Sequence, residues 1–310
     1  VALAALVPGA LLGWAVYAAV DGPGDGGGSG SASAEASASA SSRAPAPPSS
    51  PGAPPSGGPA GGEPGASPSA TSPSASGPAA SGPLKGKVVV IDPGHNPGNV
   101  RHTAEINRQV DIGTHRKECD TTGTATDDGY AEAEFTLDVA HRMRALLERQ
   151  GATVTLTQDA DRPFGPCVDE RARIGNRAEA DAVVSIHADG SGAGNRGFHV
   201  ILPGAVRSGA ADTRAIVGPS RALGERVAGN FVRVTGSAPS NYVGGGTGLV
   251  TREDLGGLNL STVPKVFIEC GNMRDSKDAA LLTSGAWRQK AARGISDGIV
   301  SFLRGPGSAR

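Results

Sequence analysis

Three apolar runs in this chain end in residues that bind metal ions or move protons. Val88-Val89-Val90-Ile91 leads into Asp92-Pro93-Gly94-His95, Val183-Val184-Ser185-Ile186 into His187-Ala188-Asp189, and Val266-Phe267-Ile268 into Glu269. Such runs are the pattern of strands buried on both faces. In open α/β sheets, ligands sit in the crevice beyond the carboxyl ends of the strands. If the three strands are parallel neighbours, two histidines and a glutamate meet at one sheet edge. A fourth candidate opens the helix expected over 131–150. Stepping by three and four from Glu132 gives Thr136, Val139, Met143 and Leu146, with Phe135 bordering the stripe. Glu134 steps instead to Leu137 or Asp138 and His141, a more polar track. Helical geometry therefore favours Glu132 as the inward carboxylate. A glutamate in a first turn also complements the helix macrodipole, so spacing alone leaves a purely structural role open.

Two histidines and one carboxylate with an open fourth position form a standard catalytic zinc set, leaving one glutamate as general base. The energetic reason for a metal is direct. Bulk water has a pKa of about 15.7, and water at a zinc ion can reach about 7. The difference is on the order of 12 kcal/mol in hydroxide availability, which a lone glutamate with a pKa near 4.3 cannot supply. Competing chemistries find less support. The only Gly-x-Ser-x-Gly match of the folded part, Gly294-Ile295-Ser296-Asp297-Gly298, falls inside the helix expected over 285–303 and so makes no strand-to-helix elbow, and there is no phosphate-binding Gly-x-x-x-x-Gly-Lys-Ser/Thr loop. Cys270 points away from the Glu269 side by strand alternation and reads as a buried free thiol. His102 and His115 fall in a polar loop and His141 on a polar helix face. His199 alternates within a strand and either caps a core edge or faces the site.

The elements that must position these groups follow an α/β order. Strands are expected over 87–92, 152–157, 181–186, 197–202 and 265–269, and helices over 131–150, 169–180, 219–235 and 285–303. Residues 99–129 read as a long polar loop, and Gly244-Gly245-Gly246 as a mobile loop near the cleft. Strands alternating with helices indicate a layered fold on a largely parallel sheet. Before this region the composition is different. The chain has 47 Gly and 23 Pro in 310 residues, and most of the excess precedes residue 85. Residues 1–20 are apolar and uncharged, long enough at 1.5 Å per residue to cross a ~30 Å hydrocarbon core. They read as a signal peptide or a membrane anchor. Residues 21–84 are Gly, Ser, Ala and Pro almost throughout and read as a disordered linker. Residues 85–306 then form one catalytic domain, large enough for a single core. The formal net charge of −1 gives no electrostatic case for nucleic acid. Of three cysteines, Cys119 and Cys167 lie in polar turns, and in an exported chain they read as a disulfide.

In combination and order these residues resemble the zinc-dependent N-acetylmuramoyl-L-alanine amidases of the amidase_3 type. The resemblance runs from Lys85 to about Leu303. Its anchors are Val90-Ile91-Asp92-Pro93-Gly94-His95, Glu132 opening the first helix, the helix carrying Arg171 to Asn176, Ser185-Ile186-His187-Ala188-Asp189, and the run from Pro264 to Asn272. It implies a three-layer α/β/α sandwich around a mixed sheet. It also implies one zinc ion held by His95, Glu132 and His187, with Glu269 as the catalytic glutamate. The Cys119–Cys167 pair resembles an arrangement of the actinobacterial branch. Many members follow the catalytic glutamate with Gly-Phe, where this chain has Gly271-Asn272-Met273-Arg274.

The function expected is hydrolysis of the amide between N-acetylmuramic acid and L-alanine in peptidoglycan. The chain would act as a monomer outside the cytoplasm, secreted or held at the membrane by residues 1–20. The competing readings are a catalytically inactive cell-wall-binding regulator on the same fold, and a zinc peptidase acting on other peptides.

Overall fold

The computed structural model describes residues 81–305. The expected hydrophobic segment at 1–20 and nearly all of the expected linker lie outside the described residues. Among the described residues no helix is long and apolar enough to cross a membrane. Leu84 is fully buried in the main core, so the folded body reaches one residue before the boundary expected from composition.

The strands in chain order are β1 (Val88–Pro93), β2 (Gln109–Asp111), β3 (Arg116–Glu118), β4 (Thr153–Leu156), β5 (Ala182–Asp189), β6 (His199–Pro203), β7 (Arg207–Ser208), β8 (Ala211–Asp212), β9 (Leu249–Arg252) and β10 (Lys265–Asn272). The helices are α1 (Thr103–Ile106), α2 (Glu132–Arg149), α3 (Val168–Arg177), α4 (Val217–Thr235), α5 (Gly256–Asn259), α6 (Ser276–Leu282) and α7 (Gly285–Leu303). Six strands form the central sheet in the order β4-β1-β5-β10-β6-β9. Pairings are parallel except β10 with β6, which makes a mostly parallel mixed sheet.

Alternation along the strands divides the side chains between two layers. Val89, Ile91, Val184, Ile186, Val266 and Ile268 face α2, α4 and α7, where Phe135, Met143, Val227, Phe231, Ile295 and Ile299 complete the main core. The other face packs on α3 and α5 and is mixed. Val90 and Val183 bury there, but Asp92, Ser185 and Lys265 are buried there too. Polar side chains inside a parallel sheet need partners, and their partners lie under the candidate site. α2 fulfils the expectation made from its spacing: Glu132, Phe135, Thr136, Val139 and Met143 are buried, and Glu134 is exposed.

Two expectations are corrected. Residues 99–129 are not a featureless loop. They fold into a short 3-10 turn, α1 and the antiparallel β2–β3 pair. Buried Ile106, Val110 and Ile112 hold the segment down, and the Cys119–Cys167 disulfide fastens it to the start of α3. A further strand, β9, closes the sheet edge beside β6. Its half-buried residues lack the clean alternation that marks a strand in sequence.

Candidate metal centre

β1, β5 and β10 are consecutive and parallel, so their carboxyl ends lie side by side, with Asp92 level with Ser185 and Glu269 level with His187. His95 follows β1 in a turn whose backbone is left-handed (φ 63°). For a residue with a Cβ this costs on the order of 1–2 kcal/mol and persists only where the surroundings enforce it. They do: the His95 carbonyl accepts from Arg171 at 2.9 Å and from Gln158 at 3.0 Å, and Gly94 donates its N–H to Ile186 at 2.9 Å. Two glycines keep the space clear. A Cβ at Gly94 would stand 2.4 Å from the His187 ring, and one at Gly123 would stand 2.8 Å from Glu132 Oε2 and from the His95 ring.

In this space one donor atom each from His95, Glu132 and His187 lies within 4.8 Å of the others. His95 Nε2 is 3.2 Å from Glu132 Oε2, and His187 Nδ1 is 3.0 Å from Glu132 Oε1. A tetrahedral zinc site with bonds near 2.0–2.1 Å sets its ligand atoms about 3.3 Å apart, so the donor set and spacing fit that ion. Both histidines turn the correct nitrogen inward because the other one is occupied. His95 Nδ1 donates to the Thr121 carbonyl at 3.1 Å, with Asp120 Oδ1 at 3.5 Å. His187 Nε2 donates to Ser185 Oγ at 3.2 Å, and that hydroxyl donates to Asp92 Oδ2 at 2.9 Å. Such outer partners fix the tautomer and orientation of metal-binding imidazoles. The backbone N–H groups of Thr124 and Ala188 hold the Glu132 carboxylate at 2.9 and 3.2 Å. Burial alone would raise the Glu132 carboxyl, but the two histidines outweigh it and hold it below the ordinary range.

Beneath the triad lies a buried set of four charges. Arg171 uses all five N–H donors. They reach the Pro166 carbonyl, Asp92 Oδ1, the Pro93 carbonyl, the His95 carbonyl and Asp120 Oδ2, at 2.6–3.0 Å. Lys265, 1% exposed, reaches Asp92 Oδ2 at 3.0 Å. Burial pushes the Asp92 and Asp120 carboxyls up, but the cations outweigh it. Asp92 is held well below the usual range by Lys265 and Arg171, and Asp120 at about 2, chiefly by Arg171.

Glu269 stands outside this hydrogen-bonded cage. It lies in register with His187 on one side and His199 on the other, and its buried Oε2 has no partner. Burial first, and then Asp189 and Glu132, push its carboxyl well above the ordinary value. Among the described residues this carboxyl has neither an ion pair nor a hydrogen bond, and it stands beside three side chains that could hold a metal ion, a setting in which a carboxyl can take up and release a proton.

The structure thus brings His95, Glu132 and His187 together with Glu269 next to them. His102 and His141 instead pair with Glu105 and Asp159, away from the triad. Cys270 is 2% exposed and its thiol is pushed up by burial, conditions that disfavour a nucleophile. Sequence reasoning missed the outer partners Asp92, Asp120, Ser185, Arg171 and Lys265. One signal was available: a lysine opening a buried strand has to be paired.

The chain as a whole is similar to known proteins. Residues 89–301 match the Amidase_3 family, described as N-acetylmuramoyl-L-alanine amidase. The amidase Rv3717 of Mycobacterium tuberculosis is 41% identical over 229 residues, 73% of this chain and 90% of that protein. The crystal structure of the amidase Ami1 from Mycobacterium smegmatis superposes with a TM-score of 0.65 at 42% identity, over 71% of this chain and 98% of the other. The apo form of Ami1 from Mycobacterium abscessus does so with a TM-score of 0.65 at 41% identity, over 71% and 100%.

Proposed function

The chain belongs to the amidase_3 family of N-acetylmuramoyl-L-alanine amidases, and from that premise we propose that it cuts the amide between N-acetylmuramic acid and L-alanine with one zinc ion held by His95, Glu132 and His187 and with Glu269 as the acid–base residue. It is a cell-wall hydrolase acting on peptidoglycan. The observation that carries the assignment of residues is the convergence of two imidazoles and one carboxylate within 4.8 Å, next in the sheet to an unpartnered glutamate.

When bound, zinc would supply Lewis acidity, making a water molecule more acidic and polarising the scissile carbonyl. Glu269 takes the proton from the attacking water as the new C–O bond forms. The same carboxyl then delivers that proton to the L-alanine nitrogen as the C–N bond breaks, so it ends the cycle as it began. Ser185, Thr121 and Asp120 keep the imidazoles oriented without touching the reaction. The remainder of the chain fits extracytoplasmic work. Residues 1–20 would act as export signal or membrane anchor, 21–84 as a tether, and 85–306 as a monomeric catalytic domain fastened by the Cys119–Cys167 disulfide.

Replacing Glu269 by Ala tests the role assignment. Zinc per chain should stay unchanged, while release of peptide with a free L-alanine amine should fall by at least about 100-fold. Full activity in that variant would sink the assignment. Retention of muropeptide by the unaltered chain without any cleavage would favour the inactive regulator.

A further inference from the structure

The row of side chains that carries the site continues past Glu269. β6 pairs antiparallel with β10, and His199 lies level with Glu269 just as His187 does on the opposite side. Residues level with one another in neighbouring strands point to the same face. With strands about 4.8 Å apart, His187, Glu269 and His199 make a line roughly 10 Å long. His199 is 5% exposed, its Nδ1 is buried without a partner, and among the described residues neither ring nitrogen hydrogen-bonds to protein. A buried imidazole left in that condition is costly unless a ligand or water completes it.

Its neighbours define its state. Tyr242 meets the ring edge-on at 5.9 Å and donates its hydroxyl to Asp189 at 2.7 Å. Glu269 lies beside it, and Asp189 and Arg252 are the charges that act on it. Burial, reinforced by Arg252 and opposed by Asp189, lowers the imidazole below the ordinary histidine range. The ring is therefore neutral near pH 7, with one donor and one acceptor.

Position along the row decides what the ring meets. On the roles proposed for the triad and Glu269, the scissile carbonyl would lie on the His187 side, and a leaving group beyond Glu269 would then meet His199. We propose that His199 contacts the substrate on the leaving-group side, its unprotonated nitrogen accepting the N–H of the scissile amide and so turning the nitrogen lone pair toward Glu269 as the C–N bond breaks. No proton is consumed: the amine leaves with its own hydrogen and the one that Glu269 delivers. The inference rests on the roles proposed for the triad and Glu269.

The test uses the full chain with His199→Ala and His199→Gln, the latter keeping an amide group near the Nε2 position. Two muropeptide substrates are compared: the natural one, and one with an ester oxygen in place of the scissile N–H. Zinc per chain, thermal midpoint, kcat and KM are read. In His199→Ala, zinc and thermal midpoint should hold, kcat on the amide should fall roughly tenfold or more, and kcat on the ester should stay within a factor of two or so. His199→Gln should recover part of the loss on the amide. In a Glu269→Gln background, muropeptide affinity should weaken several-fold when His199 is also replaced by Ala. Equal losses on amide and ester, or no loss on either, would overturn the proposal. If His199→Ala loses zinc or unfolds, His199→Gln is read by the same criterion. Failure of the underlying reading shows separately, as amide cleavage that survives Glu269→Gln.

Discussion

His187 offers Nδ1 to the triad because Nε2 is already engaged by Ser185, whose own hydrogen goes to Asp92. That chain of two hydrogen bonds makes Ser185 a positioning residue, and its removal separates orientation from ligation. In Ser185→Ala the imidazole keeps its place but loses its fixed tautomer. Zinc affinity, measured by competition with a chelator of known strength, should fall about 10–100-fold, while the fold survives. Unchanged affinity would show that stacking on Phe267, 5.2 Å away and nearly parallel, orients the ring unaided. The helical step from Glu132 was readable in sequence because a carboxylate in a buried stripe is anomalous by itself. Ser185 was not, because a serine in a strand is ordinary until its partners are known.

At the scale of elements, Arg171 joins α3 to the ends of β1 and to the segment that follows β3. Its two carboxylate partners are buried, so removing the guanidinium leaves Asp120 without its cation and Asp92 with Lys265 alone. Arg171→Met should destabilise the protein by about 3–5 kcal/mol in urea unfolding and lower zinc content with it, because Asp120 and the His95 turn lose their tie. A loss below about 1 kcal/mol would mean that water replaces the guanidinium. β1, β5, β10, α2 and α7 were legible in sequence, since long runs and stripes report burial locally. α1, β2 and β3 were not. Each has only three or four residues, and they are held by Ile106, Ile112 and the Cys119–Cys167 bond rather than by propensity. The Lys265–Asp92 and Arg171–Asp92 pairs span 173 and 79 residues of chain. No local pattern encodes a contact at that distance, although a buried lysine announces that one exists.

Across the whole molecule, the mixed sheet gives one face to hydrophobic packing on α2, α4 and α7 and the other to a neutral set of two carboxylates and two cations beneath the site. This division has a consequence for acid stability. Asp92 and Asp120 both bind protons more weakly folded than unfolded, Asp120 with a pKa of about 2. Their contribution is fully present above the unfolded value near 4 and is lost as pH falls through the folded values. Asp120 alone accounts for on the order of 2 kcal/mol, so unfolding free energy should decline between about pH 4 and pH 2, and a flat profile there would contradict the pairing. The central claim is that three side chains hold one zinc ion and a fourth uses it. Zinc content and muropeptide cleavage of the full chain, before and after chelation and again after zinc is restored, test it most directly. The account predicts about one zinc per chain and cleavage that releases peptide with a free L-alanine amine, is abolished by the chelator and returns with zinc. A folded chain that binds no zinc, or one that cleaves equally well with the metal removed, would contradict it.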